Sequence, residues 1–179
     1  MCTSRMIAWL RHTALPPCVG LLMAATLLSC AMPPAPRTAS FDPHEYAPYG
    51  KAGTASVTGQ VFLSPGEGGV TSGAGCKQVF LEPVTTYSTE WVEREVIENR
   101  QLAAPDPRVV TYRRTTQTDG AGFFRFENLP AGAYYAACRM QFDRWIMTGN
   151  RPTMFEELVW VHARVDLAAG QHGKVVLAH

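Results

Sequence analysis

The stretch Thr118-Asp119-Gly120-Ala121-Gly122-Phe123-Phe124-Arg125-Phe126-Glu127-Asn128-Leu129-Pro130-Ala131-Gly132-Ala133-Tyr134 decides the fold. Its two small-residue clusters, 118–122 and 129–132, read as tight turns, each holding glycine where a positive φ costs little. Between them Phe124 and Phe126 stand two residues apart and so share one face of a strand. Working outward, short β-type runs bounded by turn residues recur at 57–63, 77–84, 109–117, 122–128, 133–142, 158–166 and 173–178. Seven short strands predict an all-β chain folded as an antiparallel β-sandwich. No glycine pattern for a dinucleotide or a phosphate loop interrupts them.

Composition narrows the function. The 179 residues are 46% hydrophobic and 17% charged, which suits one domain that buries about two-thirds of its unfolded surface. Lys and Arg number 16 against 15 Asp and Glu, so there is no cationic excess to neutralise phosphates, and nucleic acid is not an expected partner.

Val57-Thr58-Gly59-Gln60-Val61, Val79-Phe80-Leu81-Glu82-Pro83, the 118–126 turn and strand, and the 129–134 turn together resemble the carboxypeptidase regulatory-like domain, a transthyretin-type β-sandwich. The resemblance covers most of 56–138, and the closing strands fit the remainder of a domain over 56–179. It implies an accessory module without peptidase activity, since no separate zinc-binding catalytic domain fits beside it. Tyr87-Ser88-Thr89-Glu90-Trp91 is similar to a segment found in bacterial lipoproteins that carry this domain. As in other sandwiches, Tyr134 is expected to fill an edge and hydrogen-bond a turn.

Other sandwich families fit less well. An intradiol dioxygenase would place two tyrosines and two histidines on iron, but Tyr134 and Tyr135 are adjacent on a strand and face opposite ways. The His-x-His of that family is missing around His162. The C-terminal Val175-Val176-Leu177-Ala178-His179 lacks the tail of hydroxyisourate hydrolases, and Cys138 stands where isopeptide-forming domains need a glutamate. No catalytic residue, metal site or cofactor is expected. His162 and His172 read as surface or turn residues.

Residues 1–29 carry Arg5 and Arg11, no acidic residue, and an apolar run over 18–29, too short for the roughly 20 residues of a spanning helix. This is the pattern of a secretory signal. At its end Leu27-Leu28-Ser29-Cys30 resembles the bacterial lipobox, which implies cleavage before Cys30 and acylation of that cysteine. Ala31 points by analogy to the outer membrane, and two or more acyl chains make such attachment stable. From 30 to 55 the prolines Pro33, Pro34, Pro36, Pro43 and Pro48 predict an extended tether.

Cys2 and Cys18 leave with the signal and Cys30 is acylated, so Cys76 and Cys138 remain in an oxidising compartment, where pairing is expected; the alternative is two separately buried thiols. The segment 85–108 reads as an insertion with a short helix capped by Ser88 or Thr89, Val92 and Val96 on one face, and an end at Pro105-Asp106-Pro107. If every strand alternates in direction, this insertion lies where the tether enters, and a 143–157 connection bearing Trp145, Met147 and Phe155 lies at the far end. The resulting expectation is a non-catalytic, lipid-anchored cell-envelope module that makes protein contacts through Tyr87, Glu90 and Trp91. Carbohydrate or peptidoglycan recognition on an aromatic platform such as Trp91, Trp145 or Trp160 is the alternative, and a metal-dependent enzyme the third class.

Overall fold

The computed structural model describes residues 33–63, 71–72 and 76–178, apart from the side chains of Leu63, Thr71, Ser72, Phe142, Arg144 and Trp145. The expected signal over 1–29 and lipidated Cys30 lie outside the described residues. Eight strands are present among the described residues, not seven: β1 (Ala55–Leu63), β2 (Thr71–Ser72), β3 (Val79–Pro83), β4 (Arg114–Thr116), β5 (Phe123–Leu129), β6 (Gly132–Thr148), β7 (Arg151–Leu167) and β8 (His172–Ala178). They form two four-stranded sheets, one of β2, β1, β5 and β8, the other in the order β4-β3-β6-β7.

The first sheet is not wholly antiparallel, because β8 runs parallel to β1, with Ser56 opposite His172 and Phe62 opposite Ala178. The turn 168–171, with Gly170 at φ +73°, carries the chain from β7 in one sheet to β8 in the other, so sequence neighbours here are not sheet neighbours. The predicted strand over 109–117 shrinks to β4. Pro107 pre-sets a helical φ and the Asp106 side chain accepts from the Arg108 amide, which starts a 3-10 turn over Pro107–Thr111. The expected 143–157 connection is also replaced. Residues there continue β6 and β7 into a hairpin of two 17-residue strands, closed by Gly149-Asn150 with Gly149 at φ +65°.

Period-two alternation builds the core. Val57 and Val61 of β1, Phe124 and Phe126 of β5, and Leu177 of β8 meet Val79 and Leu81 of β3, Ala136, Cys138 and Met140 of β6, and Val161 of β7. Gly59 is required in β1, since a Cβ there would sit 2.2 Å from the Phe124 ring. Tyr134 is buried and its hydroxyl donates to the Pro130 carbonyl at 2.9 Å, tying β6 to the turn that precedes it. A disulfide joins Cys76 to Cys138 with their Cα atoms 6.4 Å apart.

The N-terminal prolines do not make an extended tether over the described part of 30–55. Residues 33–49 fold back as a strap on the domain, and the compact unit begins at Pro33. The Ala35 amide donates to the Gln101 carbonyl and the Ala103 amide to the Ala35 carbonyl, both at 2.8 Å. Pro43 occupies the first turn of a short helix, α1 (Pro43–Tyr46), capped by Asp42, a position where proline starts a helix instead of extending a polyproline segment. Tyr46 is completely buried with Tyr87 and Val109.

Inside the 85–108 insertion, α2 (Thr86–Trp91) is capped by Thr85 and not by Ser88 or Thr89. Ser88 is instead the third residue of a capping box, donating to the Pro83 carbonyl at 2.6 Å. The helix runs on into a π-helical turn, Val92–Ile97, and lays Trp91, Val92 and Val96 on the outer face of the second sheet. Replacing Cys76 and Cys138 together by alanine is expected to keep the fold and lower the unfolding free energy by about 4 kcal/mol, from the freed closure of a loop with sequence separation 62, measured by urea denaturation.

Candidate functional site

The outer face of the second sheet is covered only in part. Outward residues are set by strand register: Phe80 of β3 lies opposite Ala137, which lies opposite His162; one rung on, Arg139 faces Trp160, and then Gln141 faces Leu158. The helix covers the Ala137 rung. Trp91 meets Trp160 edge-on at 5.7 Å between ring centroids and Phe80 at 6.3 Å, while Phe80 and Trp160 are 6.1 Å apart. Arg113 stacks 5.2 Å from both Phe80 and Trp91, and its guanidinium bonds the Glu82 carboxylate at 2.6 and 2.8 Å. Glu82 is buried, and that burial pushes its pKa up against the opposing pull of Arg113.

Beyond the helix edge the sheet face is open. A groove of 370 Å³ is lined by Lys77, Gln78, Phe80, Arg139, Gln141, Leu158 and Trp160, and a recess of 140 Å³ by Glu95, Asn99, Gln101, Arg139 and Trp160. Trp160 and Arg139 belong to both and form the ridge between them, with the guanidinium 5.9 Å from the indole centroid. Trp160 is half-buried. Its ring is thus braced by Trp91 and Phe80 and fringed by amides and charges. Such a ring accepts weakly positive C–H groups on its face, while the side-chain amides and guanidinium bond hydroxyls around it.

The residues expected to contact a partner through the insertion are not available to one. Tyr87 is 4%, Trp91 5% and Glu90 9% exposed. The Tyr87 hydroxyl accepts from the Asp106 amide at 2.7 Å. The Glu90 carboxylate accepts from the Thr38 amide and hydroxyl, both at 2.6 Å, and from the Ala39 amide at 3.2 Å. Both side chains hold the insertion and the strap together, and Trp91 packs beneath the helix. Although burial pulls the Glu90 pKa upward, these hydrogen bonds outweigh it and hold the carboxyl below its ordinary value. The Trp145 side chain lies outside the described residues; its backbone pairs with Met154 in the hairpin.

A larger hollow of 730 Å³ lies between strap and helix, but two of its three carboxylates, Glu45 and Glu90, already bond within the fold. Glu45 accepts from the Thr86 amide at 2.5 Å and hydroxyl at 2.8 Å, and Glu90 is saturated by Thr38 and Ala39. Tyr134 faces the core and Tyr135 the outer side, where its hydroxyl meets that of Thr89 at 3.2 Å. His162 is half-buried, which lowers its pKa, and His172 meets the Ser56 hydroxyl at 2.6 Å. Among the described residues no three His, Cys, Asp or Glu side chains gather as metal ligands. Of the two aromatic platforms named from sequence whose side chains are described, Trp91 and Trp160, Trp160 is the one at the open groove. Lys77, Gln78, Arg139 and Gln141 were not singled out there; for Arg139 and Gln141 the available signal was alternation with the inward Cys138 and Met140.

No family model and no curated protein matches the chain. Among solved structures it is similar to a "putative carbohydrate binding protein" from Pseudomonas aeruginosa, with 27% identity and a TM-score of 0.68 over 79% of this chain and 99% of that one.

The strap contact gives a pH prediction. Glu90 titrates lower when folded than its ordinary 4.5, so its stabilising contribution is complete above that value and is lost as pH falls through the folded pKa. The protection factors of the Thr38 and Ala39 amides, exchange rates divided into the intrinsic rate at each pH, should fall on acidification. Glu90→Gln should lower them already at neutral pH and remove their acid dependence, with the β6 and β7 amides unchanged.

Proposed function

We propose that the chain is a carbohydrate-binding module whose site is the open part of the second sheet around Trp160. The observation that carries this reading is the half-buried indole, locked by Trp91 and Phe80 and flanked by Arg139, Gln78 and Gln141. Recognition of a sugar needs this division of labour, an aromatic face for the ring and planar polar groups for the hydroxyls. The likeness to a structure described as carbohydrate binding supports the same reading. It is preferred over protein contact through the insertion, because Tyr87, Glu90 and Trp91 serve the fold. Contact with an envelope protein stays as a second reading at the hairpin, where Met147 is 67% and Met154 51% exposed.

The proposal includes the remaining features of the chain. Residues 1–29 support export, and Leu27-Leu28-Ser29-Cys30 supports a lipid anchor on Cys30, with Ala31 favouring the outer membrane. The two-sheet architecture supports the carboxypeptidase regulatory-like, transthyretin-type assignment suggested by the 118–134 motifs. The module binds without catalysis in this reading.

Two outcomes test it. Trp160→Ala should reduce affinity for the glycan captured on an oligosaccharide array by more than about tenfold, as expected of a central aromatic anchor, with circular dichroism unchanged. Undiminished capture would place the site elsewhere. Cys30→Ala should move the expressed protein from the membrane to the soluble fraction after cell breakage.

A further inference from the structure

We propose that the groove selects a carboxylate-bearing glycan, an oligosaccharide containing uronic acid, with Arg139 and Lys77 receiving the carboxylate while Trp160 receives the ring. The inference rests on the carbohydrate reading above and adds the ligand's charge. Lys77 and Arg139 both line the groove, and no Asp or Glu lines it with them. Among the described residues neither cation meets a carboxylate, unlike Arg94, Arg108, Arg113, Arg125 and Arg164; Lys51, Arg100, Arg114, Arg151 and Lys174 also lack one, but none of these lines the groove. Two cations in one concavity with no internal counter-charge set a positive local potential in a chain whose overall charge is near neutral.

Geometry gives the preference for a carboxylate. A guanidinium offers a planar fork that matches two carboxylate oxygens, and Arg139 stands beside Trp160 with its guanidinium 5.9 Å from the indole centroid, within reach of a substituent on a sugar seated there. The recess on the other side of the ridge differs in charge. It shares Arg139 with the groove but adds Glu95, Asn99 and Gln101, a set that accepts from and donates to hydroxyls, so its formal charges balance. Lys77, which lines the groove alone, therefore sets the direction of the sugar, acid edge toward Lys77 and Arg139, hydroxyl edge toward Asn99 and Gln101.

The experiment is isothermal titration calorimetry of the purified full chain with three probes: a galacturonic acid trisaccharide, the neutral galactose trisaccharide, and a sulfated galactose trisaccharide. The uronate is expected to bind about tenfold more tightly than the neutral sugar, the scale of a charge-assisted hydrogen bond, and to weaken with added salt. Arg139→Gln and Lys77→Gln should each remove most of that preference. Arg139→Lys, which keeps the charge and loses the fork, should retain only part, and Lys174→Gln, on the other sheet, should retain all of it. If uronate and neutral sugar bind equally and Trp160→Ala abolishes both, the charge inference fails and the carbohydrate reading stands. Tighter binding of the sulfated sugar overturns the carboxylate assignment. Absence of binding to all three, together with no capture on the oligosaccharide array, overturns both readings.

Discussion

A strand presents two faces, and the second sheet has apolar partners on both. Its inner face closes the sandwich core through Val79, Leu81, Ala136 and Val161, and its outer face receives Trp91, Val92 and Val96 from the insertion. This double burial governs everything outside the core. The helix is needed because Phe80, Ala137 and Trp160 would otherwise face water together, and the helix is too narrow to cover the full face. The open groove is the remainder of an incomplete layer, and Trp160 stands where the covered part meets the uncovered part.

The same layer explains why the strap is part of the domain. An insertion helix packed on one side leaves its other side with polar groups that need partners. Thr38 and Ala39 supply donors to Glu90, and Glu45 accepts from the first turn of α2 through Thr86. Tyr46 then fills the hollow beside Tyr87 and Val109. The order of dependence runs from sheet to helix to strap, so loss of the strap should leave the sandwich intact while loss of the sheet would leave neither.

What the sequence reveals here follows the range of the interactions. The 118–122 turn is local: the Asp119 carboxylate accepts from the Ala121 and Phe123 amides, and Gly122 takes φ +85°. Tyr134 bonds a carbonyl only four residues back, and Phe124 and Phe126 share the core face by simple alternation. These are legible from residue types and spacing alone. The strap is not, because proline is as much at home in the first turn of a helix as in an extended segment, and the choice depends on a hollow built by residues 87 and 109. Trp91 and Trp160 are equivalent by composition; which of them stays open is decided by helix packing across the sheet. The hairpin reads from sequence as a 143–157 connection, because exposed Met147 and Met154 lack the burial alternation that usually marks a strand and the turn Gly149-Asn150 is the one local sign of it.

The disulfide has a consequence outside the core. Cys76 is followed by Lys77 and Cys138 by Arg139, and the Cys138 side chain points inward while that of Arg139 belongs to the outer groove. The bond therefore acts as a covalent gauge for the backbone spacing of the two cations, transmitted through the thickness of one sheet. With the bond reduced, the β3–β6 ladder would still hold Val79 opposite Cys138, and what is lost is the covalent tie just ahead of β3, where Lys77 stands.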